Sequence, residues 1–149
     1  MRPESNVVPV QTFIEKVDLK VIRNIERVGK LHRIREDDER PSNLDVDFKL
    51  FEWGQYIELG FGLSTAEEGG SLEISVKVHV IYSNPEELNL SKEDKEIFLS
   101  DVVFMQVYPY LREGFSSMAQ QLGVGIPTLG VLERGQYRIE LDGTESGSF

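Results

Sequence analysis

The chain has 149 residues, with 26 acidic against 16 basic side chains, a formal net charge of -10 and no cysteine. One domain of that length buries roughly two thirds of its unfolded surface and needs no covalent staple. The charge opposes phosphate backbones and anionic membranes. The absence of cysteine excludes disulfides, thiolate metal sites and thiol nucleophiles.

The first residues, MRPESNVVPVQ, contain no apolar stretch of signal-peptide type, and no later run is long and apolar enough to span a bilayer. The expectation is a cytoplasmic protein that neither enters a membrane nor binds nucleic acid, with residues 1–11 as a flexible arm around Pro3 and Pro9. From Thr12 to Val28 the run is rich in β-branched residues and reads as a strand. Phe13, Val17, Leu19 and Val21 share one parity, Ile22 takes the other and Ile25 returns to the first, so this strand should carry a bulge or sharp bend. A charged connection, LHRIREDDERPSN, follows.

Leu44, Val46, Phe48 and Leu50 then alternate with Asp45, Asp47 and Lys49, a half-buried strand that ends near Gly54. Ile57, Leu59, Phe61 and Leu63 make a third strand, and TAEEGG at 65–70 a hairpin turn. The cleanest alternation is Leu72, Ile74, Val76, Val78, Val80 and Tyr82 against Glu73, Ser75, Lys77, His79 and Ile81. Asn84-Pro85 turns the chain. Ser91, with Asp94 three residues on, opens a short helix through Leu99, and Ser100-Asp101 gives a second helix start. Tyr108, Leu111, Phe115, Met118 and Leu122 fall on one helical stripe. Gly123 and Gly125 supply C-cap chemistry and Pro127 forbids continuation, while Pro109 sits inside the helix and should mark a kink. The tail, 133–149, alternates briefly at Tyr137, Ile139 and Leu141 and is expected to be partly disordered. Strands followed by helices argue for an α+β fold, an antiparallel sheet with helices on one face.

The residues that usually carry chemistry are sparse or wrongly placed. GVG at 123–125 follows a helix instead of opening one, so it reads as a cap and not a phosphate cradle. The histidines are only two, His32 and His79, with nothing to set a metal-ligand spacing. Asp45 and Asp47 share a strand face simply because strands alternate, and EDDE at 36–39 lacks the spaced ligands and glycine turn of a calcium loop. Ser116 and Ser117 lie in no nucleophile elbow. The reading is a protein without catalytic residues, metal or cofactor.

What remains is apolar and aromatic. Phe51, Trp53 and Tyr56 cluster between the second and third strands, Tyr110 lies off the helix stripe, and Ile126 and Leu129 sit in a proline-containing segment too short for a core of its own. They read either as ordinary packing or as a groove for extended polypeptide, and are the candidate client-binding residues.

One stretch carries a family resemblance. Tyr108, Pro109, Tyr110, Leu111, Arg112 and Glu113, preceded by apolar Val107, lead into a helix that ends at Gly125 and Pro127 before Leu129. This resembles the signature of the SecB protein-export chaperone family, over roughly residues 12–132 taken as a single domain. The resemblance implies a four-stranded Greek-key sheet with helices on one side and self-association as a dimer of dimers. It also implies ATP-independent holding of unfolded or aggregation-prone chains in apolar grooves. Two features depart from the family: the tail lacks its second C-terminal helix, and Arg23 and Lys77 stand where acidic residues dock the translocase motor, with Glu26 and Glu73 nearby. The partner is then a translocase or another client such as an antitoxin, and the alternative is a non-catalytic adaptor for one folded protein.

Overall fold

The computed structural model describes residues 6–31, 44–66, 72–124 and 139. In chain order these form helix α1 (Val10–Lys16), strands β1 (Asp18–Leu31), β2 (Asp45–Trp53), β3 (Tyr56–Ala66) and β4 (Leu72–Ser83), helix α2 (Lys92–Ile97), a π-helical segment (Phe98–Val103) and helix α3 (Phe104–Leu122). The sheet is antiparallel in the order β1-β4-β3-β2. Three consecutive strands pair as hairpin neighbours while the first lies beside the last, which is the Greek-key arrangement.

The first strand begins at Asp18, not Thr12; the residues before it form α1. Phe13 and Val17 are separated by four positions, which is an even step on a strand and one turn of a helix. Tertiary packing decides between them: both are buried, and Phe13 stacks on Trp53 with centroids 5.4 Å apart and meets Phe98 edge-on at 5.0 Å. The carbonyl of Pro9 accepts from the Phe13 N–H at 3.0 Å and starts the turn. The expected parity change in β1 is present as two register shifts against β4, between Leu19 and Val21 and between Asn24 and Glu26.

Every second residue of β4 from Leu72 to Tyr82 is buried. Alternation in β3 brings Ile57, Leu59, Phe61 and Leu63 to the same face. α3 packs on that face with Phe104, Val107, Leu111, Phe115 and Ala119 fully buried, so one face of the sheet is covered; the other, called the open face, carries no described helix. An aromatic line from Phe48 through Phe61 to Phe104 and Tyr108 ties β2 to α3, at centroid separations of 5.2, 5.7 and 5.7 Å.

Ser91 caps α2 as expected, its hydroxyl accepting from the Asp94 N–H at 3.2 Å. Ser100-Asp101, however, starts nothing: residues 92–122 run on as helix through the π-helical turn. Ser100 is buried and its hydroxyl is committed elsewhere, accepting from the Ile139 backbone N–H at 2.7 Å. Ile139, one of the alternating apolar residues of the tail, lies in the core. Pro109 is an exposed interior residue of α3, and Gly123 ends that helix at φ 71°, with the Gly123 and Val124 N–H groups donating to Gln120 and Ala119 carbonyls. The arm is also tied from Asn6 onward: Val8 N–H donates to the Asn89 carbonyl and Asn89 N–H to the Asn6 carbonyl. The predicted cap and stop at Gly125 and Pro127, the charged connection, and most of the 65–70 turn lie outside the described residues.

Candidate functional site

A bulge in β2 separates the three aromatic residues that are neighbours in sequence. Leu50 pairs with Leu59 and Trp53 with Ile57, but Glu52 pairs with Glu58, which leaves Phe51 as the extra residue. Trp53 thereby returns to the covered face. Its ring stacks on Phe13, meets Phe98 edge-on at 6.2 Å and lies 4.9 Å beneath the Lys95 ammonium, and its indole N–H donates to the Leu88 carbonyl at 3.2 Å. Burial lowers the Lys95 pKa. Phe51 stays on the open face, 46% exposed, edge-on to the His79 ring at 5.8 Å. Tyr56, one position out of step with buried Ile57, is 50% exposed on the same side.

The motif on α3 divides in the same way. Leu111 is buried against the sheet, and Tyr108 is half-buried beside Phe104 with the Arg112 guanidinium 5.7 Å over its ring. Burial raises the Tyr108 pKa, and the charge of Arg112 opposes the rise. Glu113 pairs with Arg27 of β1. Gly114 makes room for that contact, since a Cβ there would stand 3.0 Å from the Arg27 Nε. Pro109 and Tyr110 point away from the sheet, with Tyr110 43% exposed. The sheet and α3 therefore stand between Tyr110 and the Phe51–Tyr56 patch, and the candidate aromatic residues do not converge on one groove. Ile126 and Leu129, with Gly125 and Pro127 of the motif, lie outside the described residues.

A groove does exist where sequence reasoning did not look. Val10, Gln11 and Ile14 of α1 face Ile97, Asp101, Val102, Met105 and Gln106 across a cleft of about 580 Å³. Its walls are mostly apolar. The signal was present in the helical spacing of Val10 and Ile14, which the expected boundary between an arm (1–11) and a strand from Thr12 divided. Gln106 also accepts a hydrogen bond from the Tyr82 hydroxyl, whose pKa burial pushes well up.

The open face of the sheet is mixed in charge. Arg23 pairs in register with His79 and Glu26 with Lys77; Glu26 accepts from the Ser75 hydroxyl at 3.1 Å, and His79 Nε2 lies 3.8 Å from Glu58. Along the outer edge of β1, Leu19, Ile25 and Leu31 are exposed. Among the described residues no three His, Asp or Glu side chains gather as a metal site, and no helix is long and apolar enough to cross a membrane.

No family model matches the sequence, and no curated protein matches it. Solved structures do match. The chain superposes on the SecB-like chaperone Rv1957 of Mycobacterium tuberculosis, solved with a ChAD peptide from the Rv1956 HigA1 antitoxin, at a TM-score of 0.62. The match covers 82% of this chain and 95% of the other at 13% identity. The fold is SecB-like. Within that SecB-like frame the four-stranded Greek-key sheet and the long helix crossing its covered face agree with the architecture expected from the motif around Tyr108–Glu113. At so low an identity the SecB-like likeness concerns architecture alone.

Proposed function

We propose that this protein is an ATP-independent molecular chaperone, a holdase that binds unfolded or aggregation-prone polypeptide on exposed apolar surface. The observation that carries the reading is a SecB-like fold whose large apolar side chains stay exposed at separate places: Phe51 and Tyr56 on the open sheet face, Tyr110 on the back of α3, and the aliphatic cleft beside α1. Dispersed apolar contact suits a partner with no fixed shape, and binding the unfolded state lowers its free concentration without any chemical step. A solved protein of the same fold holds an antitoxin peptide, so an antitoxin segment is a proposed client here, and a translocase a proposed downstream partner.

Self-association as a dimer of dimers belongs to the same proposal. β1 is an edge strand with Leu19, Ile25 and Leu31 exposed, and an unpaired apolar edge is stabilised by pairing. Light scattering is expected to give a mass above that of the monomer. The second reading, an adaptor for one folded partner, draws on the mixed charges of the open face around Arg23, His79 and Glu58. The two separate on one experiment: titration of a permanently unfolded, reduced client against its native form. A holdase binds only the unfolded chain; an adaptor is indifferent to it.

A further inference from the structure

The residue of interest is Asp101. It lies in the π-helical segment, inside one continuous helical run that begins at Lys92, so it is far from any helix N-terminus whose dipole would hold a carboxylate. It lines the cleft among Val10, Ile14, Ile97, Val102 and Met105. One of its oxygens, Oδ1, is buried with no hydrogen-bond partner among the described residues. Asp101 as a whole is half-buried, but a buried carboxylate oxygen without a donor is costly, and no described group repays it. The wider turn of a π-helix, recurrent at functional sites, is what places it there.

We infer that this cleft is a peptide-binding subsite and that Asp101 is its specificity-determining residue. The occupant is an extended apolar segment of a client interrupted by one arginine or lysine. The apolar residues cover Val10, Ile14, Val102 and Met105. The cation supplies the missing donors to the carboxylate, a charge-assisted bond made stronger by the aliphatic walls. The exposed Gln11 amide and the Gln106 NH2, whose own oxygen accepts from Tyr82, flank the cleft and can pair with the backbone of the incoming chain, which an extended peptide cannot satisfy by itself. The charge balance of the chain, -10, points the same way: an acidic segment is repelled and a cationic one drawn in. This inference rests on the client-binding reading and adds to it a site and a sequence preference.

The test uses the full-length protein and two labelled peptides of leucine and valine, one with a central arginine and one with citrulline, its neutral isostere, followed by fluorescence anisotropy. The arginine peptide is expected to bind about tenfold or more tightly than the citrulline peptide. In Asp101→Asn that preference should fall to near one. In Met105→Glu, which charges the apolar wall, both peptides should weaken. Thermal melts check that each variant is folded; Asp101→Asn removes no described hydrogen bond to the buried Oδ1 and should melt no lower than the parent. Equal binding of the two peptides by the parent, or an undiminished preference in Asp101→Asn, would overturn the inference while leaving client binding in place. A change in mass by light scattering in Met105→Glu, with peptide binding unaltered, would also overturn it by making the cleft an interface between copies. If neither peptide nor a reduced, unfolded client binds at all, the proposed function fails with it.

Discussion

Phe51 and Trp53 stand two residues apart on one strand and meet opposite fates. Trp53 is enclosed by Phe13, Phe98, Lys95 and the Leu88 carbonyl. Phe51 meets the His79 ring edge-on and is half open to solvent. A one-residue bulge makes the difference, and it teaches that aromatic composition does not reveal which surface a protein offers; the register of the strand decides it. The same division runs through the molecule. On the covered side apolar groups have partners, and changing them should cost stability. On the open side they stay partly exposed, and changing them should cost binding.

The comparison can be pressed hardest at Trp53. Trp53→Ala is expected to lower the unfolding free energy by about 3 kcal/mol or more, read by urea titration, because it removes both a stacked ring and an indole hydrogen bond. A small loss with weakened client binding would move Trp53 to the open side. Next comes Asn84, buried where the β2–β3 turn meets the 84–89 loop. Its side-chain amide donates to the Gly54 and Leu88 carbonyls at 2.9 and 3.0 Å and its oxygen accepts from the Leu88 N–H at 3.1 Å. Asn84→Ala should cost about 2 kcal/mol by leaving buried groups unpaired.

Tyr82 gives a pH-dependent version of the same test. Burial raises its pKa, so the folded state favours the protonated phenol. The stability this represents is complete below the ordinary phenol pKa of about 10 and is lost as pH rises beyond it. The stability difference between the parent and Tyr82→Phe should therefore be constant through neutral pH and shift against the parent in alkali. The lowered pKa of Lys95 acts with the opposite sign but is common to both proteins and cancels in the difference. The smallest effects on stability belong to the open side. Phe51→Ser and Tyr110→Ala should each change unfolding free energy by less than about 0.5 kcal/mol while reducing affinity for an unfolded client.

Much of the sheet was legible because β4 and β3 alternate without interruption, from Leu72 to Tyr82 and from Ile57 to Leu63. The stripe on α3 was legible for the same reason at a period of 3.6. The misreadings fall where one spacing fits two structures or where a distant residue intervenes. Phe13 and Val17 suit a strand as well as the helix they form. Ser100 looks like a cap, yet it bonds to Ile139, a partner 39 residues away that no local rule supplies. Of the candidate residues, the sequence picked out Phe51, Tyr56 and Tyr110 as aromatic groups outside the regular pattern. It had no means of placing them on different faces. The cleft beside α1 went unread because it is made by two segments about ninety positions apart, joined only by folding.

Holding of a non-native chain is the property on which the rest depends. A chemically unfolded client diluted into buffer containing a stoichiometric amount of the purified protein, without nucleotide, is followed by light scattering. Suppressed scattering, with the client recovered in a soluble complex, is the expected result. Aggregation at the rate seen without the protein, and no complex on a sizing column, would contradict the chaperone reading.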